Sequence, residues 1–198
     1  VMPEQDAVLA LTGGIDALGM QPPLDLIWDI LLPAMQGELL PEDAAAQNAL
    51  VDKLTHLTLP TVAGQEDSPL SSTVSDKAYR VDANELGIET VAFDFSQSGS
   101  IVSIKTSNNE QTIPCGYGVW ETGQTTLFND GWFSDLIPVA ASGAWTTKDA
   151  YTMIVRLYET PFFYTIDFHF SEDDLIIETR VNVSFGSTKP KILTTHRV

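Results

Sequence analysis

The spacing of apolar residues changes once along this chain, and that change limits the folds open to it. From Ala78 onward apolar side chains recur at every second residue, the period of a strand with one buried face. Tyr79 and Val81 alternate, and Val91, Phe93 and Phe95 share one face of a strand over Thr90–Phe95. Ser98-Gly99 predicts a turn. Residues 101–106 predict its partner strand, with Ser103 and Lys105 opposite Val102 and Ile104. Asn108-Asn109 predicts a second turn and Glu110–Cys115 the next strand. Gly116-Tyr117-Gly118 then predicts a bend before Val119-Trp120. Strands are also expected over Ala150–Tyr158, Phe162–Phe170 and Leu175–Phe185, and Ile192–Thr195 closes the set. About eight short strands joined by hairpin-length turns predict an antiparallel, lipocalin-like barrel or a sandwich. With two helices ahead of it, the chain is mainly β, of the α+β class.

The first 60 residues read differently. A turn at Glu4-Gln5-Asp6 precedes an apolar strand over Ala7–Thr12, ended by Gly13-Gly14. Pro22-Pro23 opens a helix, because the first-turn N–H groups need no intrahelical partner. Leu24, Ile27, Trp28, Leu31, Leu32 and Met35 follow helical spacing, and Pro33 ends or bends the helix. A second helix is predicted from Pro41-Glu42-Asp43, with Ala46, Leu50, Leu54 and Leu57 on one face and Pro60 as its stop. Thr61–Asp76, rich in Ser, Gly, Pro and acids, reads as a linker or an arm crossing the next domain. The chain thus divides into three parts: 1–60, 61–76 and 77–198. The Ala7–Thr12 strand has no earlier strand to pair with, and no initiator Met or leader precedes it. The chain is therefore expected to be the tail of a larger protein.

Charge excludes several functions. Asp plus Glu number 27 against 10 Lys plus Arg, a net charge of -17. Phosphate backbones need clustered cations, so nucleic acid is excluded, as is electrostatic docking on anionic membranes. No apolar run reaches the ~20 residues of a membrane span. Cys115 is the one cysteine, so no disulfide framework exists. His56, His169 and His196 lack metal-ligand spacing, and Glu172-Asp173-Asp174 lacks the alternation of a calcium loop. No metal or cofactor is implied. Lys105-Thr106-Ser107 looks like a piece of a serine β-lactamase motif, but the chain contains no Ser-x-x-Lys. These residues are not read as catalytic.

The aromatic and glycine-rich stretch around Cys115, Tyr117, Trp120, Trp132, Phe133 and Trp145 is the candidate for binding. Small barrels hold one ligand in the mouth, and rings beside glycine bends suit such a wall. Tyr117, Trp120, Trp132 and Trp145 are the expected lining. His169 joins them as a residue on the strand face opposite Phe168 and Phe170. The alternative is that the rings fill the core, as aromatic side chains mostly do.

Two stretches carry a family resemblance. VMPEQDAVLALTGG followed by LDLIWDILLPAM resembles the end of the transpeptidase-like domain of β-lactamase and penicillin-binding-protein serine hydrolases. Residues Tyr79–Glu89 and Cys115–Trp120 resemble an accessory β domain appended to some members. The resemblance implies an upstream hydrolase domain as partner and a non-catalytic, structural or substrate-positioning role for this piece. It places no catalytic residue within this chain. The other expectation is a lipocalin-like module that binds a small ligand or a peptide. Unpaired strand edges and apolar faces in residues 1–60 also predict self-association through Ala7–Thr12 or the first helix.

Overall fold

The computed structural model describes residues 1–15, 19–35, 37, 41–75, 77–96, 99–128, 136–172, 174–184 and 186–197. The chain divides into two units, Val1–Pro60 and Thr61–Val198.

In the first unit a 3-10 turn over Pro3–Gln5 is closed by a bridge between Met2 and Ala7. The strand expected over Ala7–Thr12 does not form: beyond that bridge the segment is irregular, and Val8, Leu9 and Leu11 are exposed. A strand is stable only against a neighbour that takes its backbone hydrogen bonds, and none of the described residues supplies one. The apolar helical run does form. It comprises α1 (Gln21–Leu26), a π-helical turn over Ile27–Leu31 and α2 (Leu32–Ala34), and Met35 turns extended just after Pro33. A second helix, α3 (Ala44–Thr55), starts behind Asp43, whose side chain accepts a hydrogen bond from the Ala46 N–H at 2.9 Å. Among the described hydrophobic residues of this unit only Met2 is buried, and Leu26, Trp28, Ile30, Leu50, Val51 and Leu54 are exposed. No helix among the described residues is long and apolar enough to cross a membrane.

The second unit is built from a short helix, α4 (Ser71–Val74), and ten strands among the described residues. The strands are β1 (Ala78–Val81), β2 (Ile88–Ser96), β3 (Gly99–Thr106), β4 (Glu110–Gly116), β5 (Glu121–Thr125), β6 (Ile137–Trp145), β7 (Ala150–Arg156), β8 (Phe163–Phe170), β9 (Leu175–Val181) and β10 (Lys191–Arg197). They follow the order β4-β3-β2-β1-β10-β9-β8-β7-β6-β5, and a parallel bridge from Gly116 to Ser142 joins β4 to β6. Nine strands thereby close into a barrel rather than a sandwich. The β5 strand pairs with the first half of β6 and wedges into the seam where β4 and β6 diverge. Gln111 fastens that wedge: its Oε1 accepts from the Thr125 hydroxyl at 2.7 Å and the Thr126 N–H at 2.6 Å.

Alternation sorts the side chains. Val91 and Phe93, Val102 and Ile104, Met153 and Val155, and Ile166 and Phe168 point inward and are buried. Two details differ from the sequence reading. Val119-Trp120 precedes a strand instead of forming one, and β6 is a strand that the sequence pattern does not mark. The β6 strand is buried at nearly every position and carries Pro138, Gly143 and four small residues, so it shows no polar alternation to read.

Candidate functional site

The two ends of the barrel are built differently. At one end residues 61–75, which read as a linker or an arm crossing the next domain in the sequence, lie across the strands. Gln65 and Trp145 exchange backbone hydrogen bonds at 2.8 and 2.9 Å. The Ser68 hydroxyl donates to the Lys148 carbonyl, and Ser75 Oγ accepts from the Phe95 N–H at 3.1 Å. Val62 and Val74, on this strap, are buried.

Under the strap the interior is filled with rings. Phe95 lies 4.9 Å from Trp145 and 5.0 Å from Tyr151, centroid to centroid. Phe170 lies 5.5 Å from Trp145 and 5.2 Å from Phe93, and Phe93 is 4.9 Å from Phe168. Most of these contacts are edge-on or tilted, the arrangement favoured by ring quadrupoles. Trp145 is 1% exposed, and its indole N–H has no acceptor among the described residues. Beside the rings the Tyr151 hydroxyl bonds Ser100 Oγ at 2.7 Å and Cys115 Sγ at 3.5 Å. Burial pushes the Cys115 thiol up to about 11 and raises the Tyr151 hydroxyl further above its usual range. Both groups are therefore neutral near pH 7.

The far end is aliphatic inside and aromatic at its rim. Val91, Ile104, Ile113, Ile137 and Val155 pack the interior there. At the rim Ile88, Leu127, Phe128, Phe162 and Tyr164 are half-buried against this core. Phe128 and Tyr164 stack with centroids 4.1 Å apart. Phe128 has φ 65°, a left-handed conformation that is strained for a bulky side chain.

The five residues expected to line a pocket fall in different places. Trp145 is in the ring cluster under the strap. Tyr117 holds the strap from outside, its hydroxyl donating to the Gly64 carbonyl at 3.2 Å. Trp120 lies on the outer wall, with its ring centroid 5.1 Å from Cζ of Arg156. His169 is exposed on the outer face of β8, opposite Ala150. Trp132 lies outside the described residues, as does Phe133. The rim residues Phe128, Phe162 and Tyr164 are not among the expected lining. The sequence does carry a signal for two of them: Phe162 and Tyr164 continue the inward period of Ile166 and Phe168.

No family model matches the chain, and no curated protein matches it. Among solved structures it is similar to a Schistosoma mansoni fatty acid binding protein in complex with arachidonic acid. The TM-score is 0.50 at 10% identity, covering 65% of this chain and 98% of that one. The second unit has the barrel fold of lipocalins and fatty acid binding proteins. At this identity the likeness is one of fold. The expectation of a lipocalin-like barrel therefore holds.

Proposed function

We propose that the barrel unit binds a small apolar ligand, admitted at the rim formed by Phe128, Phe162 and Tyr164. The observation that carries this reading is the asymmetry of the two ends. The strapped end is packed with rings, and the far end combines an aliphatic core with half-buried aromatic side chains. Apolar walls with few polar groups suit a hydrocarbon ligand. The barrel fold shared with a protein solved in complex with arachidonic acid supports the same ligand class. The ring cluster confines the ligand to the far half of the barrel.

The test is a titration of the full chain with a fluorescent polyunsaturated fatty acid, followed by displacement with arachidonic acid. Saturable binding at one site, weakened about tenfold by Phe128→Ala, is expected. Absence of saturation, or binding indifferent to Phe128→Ala and Tyr164→Ala, would overturn the proposal.

A second reading is favoured by a separate observation. The first unit buries almost none of its apolar residues, leaving Leu26, Trp28, Ile30 and Leu54 exposed. Such a segment suits the edge of a larger domain, and residues 1–35 resemble the end of a serine β-lactamase-like hydrolase. On this reading the barrel is an accessory module of that enzyme. A longer translation product that is acylated by a fluorescent penicillin, while this chain is not, would support it. A longer product that resists labelling would count against it.

A further inference from the structure

Arg156 stands on the outer wall of the barrel, away from any ligand held inside. Its strand neighbours are Ala140 on β6 and Phe163 on β8. The Phe163 ring centroid is 4.5 Å from the guanidinium carbon, and the Trp120 ring is 5.1 Å away. The small side chain of Ala140 leaves room for Trp120 to reach across from the start of β5. Two rings thus cover the cation, an attraction that strengthens as water is excluded.

One N–H group of Arg156 is not served in the same way. Its Nε is buried without an acceptor among the described residues. Among those residues no carboxylate is in ion-pair range of it, whereas Arg180 lies near both Asp167 and Glu178 and Lys191 near Glu85. Burial also draws the Arg156 pKa below its ordinary value. Taking a guanidinium partly out of water without an acceptor is unfavourable.

We propose that Arg156, walled by Trp120 and Phe163, is a site for the carboxylate of a small organic acid with an apolar body. The planar guanidinium fork matches the two oxygens of a carboxylate, and the flanking rings suit the apolar part of the acid. A net charge of -17 repels a phosphate dianion more strongly than a monoanion, which selects carboxylate over phosphate. Val119 and Tyr158, next to Trp120 and close to Arg156 along the chain, are exposed and extend the apolar surface.

The Trp120 indole N–H resonance of the full chain, assigned with Trp120→Phe, reports on the site directly. Titration with sodium benzoate at constant ionic strength should move it to saturation in the low millimolar range. Benzamide, the same shape without charge, and inorganic phosphate should leave it without a saturating shift. Arg156→Lys keeps the charge but loses the fork and should weaken benzoate binding at least about fivefold; Arg156→Gln should abolish it. A benzoate titration that does not saturate, an equal response to benzamide or phosphate, or a shift that survives Arg156→Gln would each overturn the assignment. Should Arg156→Gln fail to fold by circular dichroism, the benzoate and benzamide comparison on the unaltered chain still decides it.

Discussion

The Tyr151 hydroxyl occupies the space that a side chain on Gly143 would need. A Cβ at Gly143 would overlap that oxygen and come within 2.9 Å of Cys115 Sγ. The absence of a side chain on β6 therefore lets the phenol reach Ser100. Gly143→Ala is expected to displace Tyr151, break its 2.7 Å bond to Ser100 and overpack the interior. The expected loss is roughly 2–4 kcal/mol, measurable by urea unfolding. Unchanged stability would mean that the ring cluster has slack.

Cys115 gives the fold a pH dependence in the alkaline range. Its thiol ionises near 9.0 when ordinary and near 11 when buried here. Below pH 9 both folded and unfolded chains carry the neutral thiol, and its contribution to stability is fully present. Between pH 9 and 11 only the unfolded chain ionises, so stability falls with rising pH by up to about 3 kcal/mol. Cys115→Ala should flatten the fall in melting temperature across that window relative to the unaltered chain. The same burial predicts that a thiol reagent at pH 8 labels Cys115 only after denaturant is added.

Gln111 holds the barrel seam with its side chain. Besides accepting from Thr125 and Thr126 it donates to the Thr126 hydroxyl through Nε2. Gln111→Ala should lower stability by roughly 1–3 kcal/mol. Hydrogen exchange should quicken in Glu121–Thr125 ahead of the rest of the barrel. Uniform acceleration over all strands would argue against a local seam.

Gly64 sets how closely the strap lies on the barrel. A Cβ there would sit 2.5 Å from the Trp145 carbonyl oxygen and 2.9 Å from Ala144 Cβ. Gly64→Val should lift the strap and break the paired backbone bonds of Gln65 and Trp145. Cleavage after Glu66 by a glutamate-specific protease should then become about tenfold faster. Cleavage at the original rate would show that the strap is held elsewhere.

The barrel is legible in the sequence where one face of a strand is buried and the other is wet. Alternation locates β1 to β4 and β7 to β10 because Ser103, Lys105, Thr152, Asp167 and similar residues mark the outer face. The β6 strand carries no such mark, since both of its faces are largely covered. The strand expected over Ala7–Thr12 has the right composition, but pairing depends on a neighbour and not on propensity. Trp145 stands out among the rings of the sequence, yet its companions Phe95, Tyr151 and Phe170 come from three other strands. Their meeting depends on register, which local sequence does not encode. Arg156 is invisible for the same reason, because Trp120 and Phe163 reach it only across the sheet.

The ladder between β1 and β10 has a consequence for how the chain is made. Tyr79 pairs with Arg197, so the ring joins its first strand to its last. Most other neighbours in the sheet are hairpin partners that can form as soon as they are synthesised. The ring itself stays open until residue 197 has left the ribosome. Until then β1 and β9 each present a bare edge to the surrounding solution, and a nascent chain stalled before Lys191 is an open sheet with its aromatic interior uncovered.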